Sequence, residues 1–218
     1  MDPFADRRLS MVDSQLRTNK VVDEALIAAL SELPREDFVP DRLAPVAYVD
    51  KDLPLEGGRF LMEPMVFARL VQMLQLSPGD IVLDIGCGTG YSSAVLARLC
   101  STVVALECDP ALAEAARRNL ARADIDNVIV VDGELAAGYP DQAPYNAILV
   151  GGAVPEIGTA LTAQLAENGR LAAVVTRGSP PGRATCAVRG GGGVSQRVAF
   201  DAGTLPLPGF EKAERFVL

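Results

Sequence analysis

The sequence predicts an α/β fold: a doubly wound, Rossmann-like and mostly parallel sheet with an N-terminal helical extension and a C-terminal strand pair. Three observations carry that expectation. From Asp80 onward, short apolar runs alternate with helical stretches, the pattern of parallel strands joined by right-handed crossovers. The first apolar run leads into a glycine-rich turn that opens a helix. The tail ends in two apolar stretches around the four glycines 190–193.

The elements follow in order. Residues 1–60 do not alternate. Asn19 is placed to cap a helix over 19–33, with Val22, Ala25, Leu26, Ala29, Leu30 and Leu33 on one face. Pro34 and Pro40 break the chain, and 41–60, with Pro45, Pro54, Gly57 and Gly58, reads as a partly extended connection. A helix over 64–76 takes Pro64 into its first turn. Strands are expected over 81–85, 102–106, 127–131, 145–150 and 171–176, and helices from Tyr91 through Leu99 and over 110–122 and 155–166. Residues 184–189 and 194–200 fit a final hairpin, although four glycines equally suit a flexible surface loop. The whole, 1–218, is expected to be one domain, with 1–76 and 77–218 as its two parts.

Composition narrows the chemistry. With 49% hydrophobic and 22% charged residues in 218, the chain has the balance of a globular protein. A net charge of −8 and no Lys/Arg run argue against a nucleic-acid partner. Arg35-Glu36-Asp37 and Arg117-Arg118 read as solvated helix ends and faces. The absence of histidine removes the commonest general base and metal ligand, and Cys87, Cys100, Cys108 and Cys186 have no zinc spacing, so no metal is expected. The first ten residues lack the apolar stretch of a signal peptide, and no run approaches the ~18 apolar residues of a membrane span. The reading is a cytoplasmic protein without a membrane partner.

Asp84-Ile-Gly86-Cys-Gly88-Thr-Gly90 follows a strand and opens a helix. Glycines let the backbone approach a ligand, and the helix N-terminus offers unpaired N–H groups. A dinucleotide fingerprint needs glycine at its first, third and sixth places, and here the sixth is Tyr91. Glycines at the first, third and fifth places, with an acid two residues earlier, suit an adenosyl ligand with a charged amino-acid end and no pyrophosphate. Glu107 ends the second strand of the series, where a carboxylate can accept both hydroxyls of a ribose. Asp132, beside Gly133, ends the third, within reach of an adenine amino group. Capping explains Asp132 alone and solvation explains Glu107 alone, but three acids at successive strand ends point to one cofactor. Cys87 and Cys108 flank this cradle as reactive thiols or, better, as small buried hydrophobes.

These residues are where the chain resembles class I S-adenosylmethionine-dependent methyltransferases, and more narrowly the protein-L-isoaspartate O-methyltransferase family. The resemblance is carried by Met11-Val-Asp-Ser-Gln-Leu-Arg17, Pro34-Arg-Glu-Asp-Phe-Val-Pro40, Ala47-Tyr48, Leu53-Pro54-Leu55, Leu83-Asp-Ile-Gly-Cys-Gly-Thr-Gly-Tyr91, Ala116-Arg-Arg-Asn-Leu120 and Ala143-Pro-Tyr145, and runs from about residue 10 to 175. It implies S-adenosyl-L-methionine as cofactor, bound by Asp84, Gly86, Cys87, Gly88, Gly90, Tyr91, Glu107, Cys108, Asp132 and Gly133. It also implies an isoaspartyl residue in a damaged protein as methyl acceptor, esterified for repair. The chain departs from the family where Phe60-Leu61-Met62-Glu63-Pro64 replaces Thr-Ile-Ser, a residue and Pro, so that Met62 stands at the serine assigned to the reacting carboxylate. Asn146, Gly151-Gly152 and Val131 are further departures. The residues leave the catalytic group unknown, and Met62 suits a packing role as well as a functional one.

The chemistry is compatible with a histidine-free chain. A carboxylate is already anionic at pH 7, so its methylation needs no base, only alignment and exclusion of water. An amine or phenol acceptor would more often want a base, and Tyr48, Tyr91, Tyr139, Tyr145 or an acid can serve. DNA amino-methyltransferases resemble one another in an Asp/Asn-Pro-Pro-aromatic motif where this chain has Val150-Gly-Gly-Ala153. Two alternatives stay open: the same fold with a small-molecule or other carboxylate acceptor, and a non-catalytic S-adenosylmethionine-binding protein.

Overall fold

The computed structural model describes residues 3–177 and 181–211; residues 1 and 2 of the decapeptide read for a leader lie outside it. Its frame is a seven-stranded sheet. Four parallel strands come first in the chain: β3 (Ile81–Ile85), β4 (Thr102–Glu107), β5 (Val128–Asp132) and β6 (Tyr145–Val154). The parallel β7 (Leu165–Val175) follows, and then the antiparallel β8 (Gly182–Gly190) and β9 (Gly193–Ala202). Spatial order is β5-β4-β3-β6-β7-β8-β9, preceded by a separate ribbon of β1 (Leu53–Pro54) and β2 (Phe60–Leu61). Glycines 190–193 therefore close a hairpin, the first of the two expectations for that stretch.

The apolar runs are continuous because both sheet faces are covered. Val82, Val103, Ala147, Leu149, Ala172 and Val174 join the core that contains residues of α1 (Ala5–Met11), α2 (Glu24–Glu32), α3 (Pro64–Leu74) and α4 (Tyr91–Ala97). The alternate residues Leu83, Ile85, Val104, Leu106, Ile148 and Leu171 form a second core with Leu135, Tyr145 and Leu161. A separate small cluster joins Ala105 to Cys87 and to Ala116 of α5 (Pro110–Arg122). α5 begins as its sequence requires: Pro110 occupies the first turn and Asp109 accepts hydrogen bonds from the N–H of Ala111 (2.8 Å) and Leu112 (3.4 Å). Among the described residues no helix is long and apolar enough to cross a membrane.

Three expectations need correction. Asn19 does not cap the first amphipathic helix. It ends a 3₁₀ turn before left-handed Lys20, and Asp23 caps α2 by accepting from Leu26 N at 3.1 Å. The carboxylate takes a free N–H that the amide, one turn upstream, cannot reach. The connection 41–60 is partly extended, as expected, at β1 and Phe60, with 3₁₀ turns over 41–46 and 56–58 besides. The helix expected over 155–166 shrinks to α6 (Thr159–Thr162), because β6 runs on to Val154, Pro155 and Gly158 intervene, and β7 already starts at Leu165. The second face is consequently covered mainly by turns.

Arg35 and Glu36 are not solvated. They are 1% and 9% exposed, and Glu36 pairs with Arg8 at 3.1 Å and accepts from the Tyr48 hydroxyl. Arg8 Nε also donates to that hydroxyl at 2.8 Å. Burial of these charges is offset by mutual pairing, which fixes the N-terminal segment across the sheet. This layer and the β1–β2 ribbon supply residues along one rim of the sheet's carboxyl edge.

Candidate active site

Strand order reverses at β3, with β4 and β5 on one side and β6 on the other. In open α/β sheets the crevice at such a switch point, beyond the strands' carboxyl ends, is where ligands bind. The glycine loop lies there. Gly86, Gly88 and Gly90 have φ of +79°, +56° and +96°, a region that side chains other than glycine's rarely adopt. Their surroundings differ. A Cβ on Gly90 would meet Ala116 Cα and Cβ at 3.2 Å, so Gly90 lets α5 close onto the loop. Gly86 faces the crevice, where Gly151 approaches so closely that its own Cβ would lie 3.0 Å from Gly86 O.

The three acids stand in different states. Asp84 is fully buried; its Oδ2 accepts from Ser92 and Ser93 hydroxyls, each at 2.6 Å, while Oδ1 has no partner. Burial pushes its carboxyl up to about 6, against the lowering effect of the two serines. Glu107, also fully buried, accepts from Gly88 N (2.8 Å), Cys108 N (2.8 Å) and Asp109 N (3.1 Å), and is bonded to the Arg59 guanidinium. Asp132 lies beside Glu107 in register on β5, half-exposed and paired with Arg117 at 2.6 Å; Gly133 N donates to Glu107 O at 3.0 Å.

Arg59 was not singled out in the sequence. Its side chain is 3% exposed, and Nη2 donates to Gly86 O at 3.0 Å while Nε has no partner. The signal was present: a lone cation between Gly57-Gly58 and the apolar Phe60-Leu61-Met62. Leu207 also enters the crevice. Its segment pairs with Ala153 (Ala153 N to Leu205 O and Leu207 N to Ala153 O, both 2.9 Å), and Asp52 holds it through Thr204 Oγ1 and Leu205 N. Only the fold brings this tail residue to Gly86.

Met62 is 5% exposed and closes a small cavity of about 20 Å³ with Arg35, Gly86, Cys87, Tyr91 and Gly151, so it stands where the cradle meets the N-terminal layer. Arg35 crosses beneath it, donating to Met62 O (2.6 Å) and Ala47 O (2.7 Å), with its guanidinium 4.9 Å from the centroid of Tyr91. Tyr91, wedged against Phe38 and Phe67, keeps its buried hydroxyl unpartnered. Burial raises the Cys87 thiol well above its ordinary value, and burial with Glu107 raises the exposed Cys108 thiol. Both are poor nucleophiles at neutral pH; Cys87 is the small buried hydrophobe expected, whereas Cys108 is exposed and is not. A wider cleft of about 490 Å³ between α5 and the 36–41 turn does not include Asp84, Gly86 or Glu107.

A parallel sheet reversing at β3, a positive-φ glycine loop in the crevice and acids ending β4 and β5 define the class: this is the fold and cradle of the class I S-adenosylmethionine-dependent methyltransferases. Within that class, residues 7–194 match the family model described as protein-L-isoaspartate(D-aspartate) O-methyltransferase, and the chain belongs to that family. The protein-L-isoaspartate O-methyltransferase of Koribacter versatilis is 40% identical over 91% of this chain and 88% of its own. That of Methylorubrum extorquens is 44% identical over 84% and 80%. A solved protein-L-isoaspartate O-methyltransferase superposes with a TM-score of 0.80 at 27% identity, over 93% of this chain and 67% of that one. The Plasmodium falciparum structure, in complex with S-adenosyl-L-homocysteine, shares the fold with a TM-score of 0.77 at 20% identity, over 93% and 98%.

Proposed function

We propose that this protein is an S-adenosylmethionine-dependent methyltransferase that esterifies the carboxylate of isoaspartyl residues in damaged proteins. The observation that carries the reading is the family match across 7–194, which takes in the acceptor-side layer as well as the glycine loop. In this reading residues 1–76 form the acceptor side and 77–218 the cofactor side of one domain, working in the cytoplasm.

The residues present fit the cofactor. Asp84 Oδ1 is a buried acceptor without a partner, suited to a cationic amino-acid end. Gly86, Cys87 and Gly88 give the backbone a close approach, Glu107 is the acid for the ribose hydroxyls, and Asp132 with Gly133 borders the adenine. Gly90, Tyr91 and Cys108 contribute packing and shape. When bound, the cofactor supplies a methyl group on an electron-poor sulfur.

The chain itself supplies alignment and dryness. Met62, Phe60 and Leu207 pack an apolar wall against Gly86 and Gly152 that keeps water from the crevice. An acceptor carboxylate arrives already ionised, so no residue need take its proton. Met62 cannot donate a hydrogen bond to it. The test is incubation with labelled cofactor and an isoaspartyl peptide beside its aspartyl isomer. Base-labile label on the isoaspartyl peptide alone is expected; label only on other components of a cell extract would instead favour a different acceptor, the reading that this apolar wall supports. Cofactor binding without transfer to anything would leave a binding protein.

A further inference from the structure

The reaction gives Arg59 no task, yet its guanidinium lies against the acid that the ribose needs. This argument rests on the assignment of Glu107 to the ribose. Glu107 Oε1 accepts from Arg59, Cys108 N and Asp109 N, and Oε2 accepts from Gly88 N. Each carboxylate oxygen offers about two acceptor sites, so Oε1 is overfilled while Oε2 has one site left, and a sugar bringing two hydroxyl donors can place both only as a donor leaves Oε1. Three of the donors are backbone N–H groups, fixed by β4 and the glycine loop, and the Cys108 thiol adds only a weak contact at 3.5 Å. Arg59 is the one strong, charged donor among them that can move.

Its setting suits movement. Arg59 follows Gly57 and Gly58, with φ of +62° and +72°, and a Cβ on Gly58 would meet nothing within 4 Å. Its second nitrogen donates to Gly86 O, so one guanidinium covers both the ribose acid and the loop carbonyl. Its Nε is buried without a partner, a burial that leaving the crevice relieves. With Arg59 gone, Glu107 keeps three backbone donors and remains satisfied.

We propose that Arg59 is an internal competitor of the cofactor: it holds Glu107 in the empty site, is displaced on the 57–58 glycines when the ribose binds, and thereby sets cofactor affinity. The test is titration calorimetry with S-adenosylhomocysteine. Arg59→Met keeps an apolar stem and removes the donors; it is expected to bind at least tenfold more tightly than wild type, with Arg59→Lys in between. Equal or weaker binding by Arg59→Met overturns the proposal.

Adding Glu107→Gln to Arg59→Met separates the two layers of the argument. Affinity that falls at least tenfold keeps Glu107 as the ribose acid, so that a failure of Arg59→Met to tighten binding sinks the competitor alone. Affinity that does not change removes the ribose assignment and the proposal with it. Hydrogen exchange of wild-type residues 56–62 gives a readout free of substitutions. Exchange is expected to quicken when S-adenosylhomocysteine is added; slower exchange would show the segment closing on the ligand, the opposite of displacement.

Discussion

Removing the Glu107 side chain should damage the empty fold before it damages catalysis. Glu107→Ala leaves the Arg59 guanidinium, 3% exposed, without its counter-ion, and strips a partner from the N–H groups of Gly88, Cys108 and Asp109. Three stripped N–H groups and a cation that must either stay unpaired or leave the crevice together cost about 3–5 kcal/mol. For a chain of this size that lowers the melting temperature by roughly 6–20 °C. Taking out the second charge as well should restore part of the loss: in Arg59→Met/Glu107→Ala no uncompensated cation remains although the three N–H groups stay stripped, and the coupling should be about 2 kcal/mol. Urea unfolding followed by circular dichroism, with thermal melts beside it, measures all four corners of the cycle in the absence of cofactor. A loss below about 1 kcal/mol for Glu107→Ala, or no recovery in the double variant, would show that the pair does not form in the empty protein. The account of the crevice would then be wrong.

Three other outcomes are expected. Asp84 titrates near 6 in the fold against 3.8 as its ordinary value, so its contribution to stability is fully present below about 3.8 and lost as pH rises through about 6, on the order of 3 kcal/mol. Asp84→Asn should flatten that part of the stability profile, and the same ionisation should make wild-type affinity for S-adenosylmethionine fall as pH drops from 7.5 to 5, seen by calorimetry; a pH-independent affinity would remove Asp84 from contact with the cationic end. Met62→Ser restores a donor at the wall of the crevice and should raise kcat/KM on an isoaspartyl peptide by up to about tenfold, one hydrogen bond's worth. A wild type already fast and indifferent to the change would take Met62 out of the acceptor site. Gly90→Ala forces a left-handed residue against Ala116 at 3.2 Å and should lower stability by about 1–3 kcal/mol; an unshifted melt would mean that α5 yields freely.

Local rules made a good part of this protein legible in its sequence. The helix expected over 110–122 forms over those residues, and the structure adds Asp109 as its cap. Four of the five parallel strands are legible because burial on both faces writes them as plain apolar runs, while β5 is an apolar run at the sheet edge with Ile129 exposed; the glycine loop is legible because its dihedral angles exclude most other residues. What composition and spacing could not reach are contacts between residues far apart in the chain. Arg35 looked solvated beside Glu36 and Asp37, but its partners are the carbonyls of Ala47 and Met62. Gly90, in the glycine loop, also receives Ala116, a packing role that the loop's spacing does not show. Arg59 and Leu207 reach Gly86 from 27 residues upstream and from the tail, across elements whose approach depends on the packed sheet. Charge pairing, crevice filling and pKa are set by distance in space and by exclusion of water, and neither is a property of neighbouring residues in the chain; only the tertiary structure decided them.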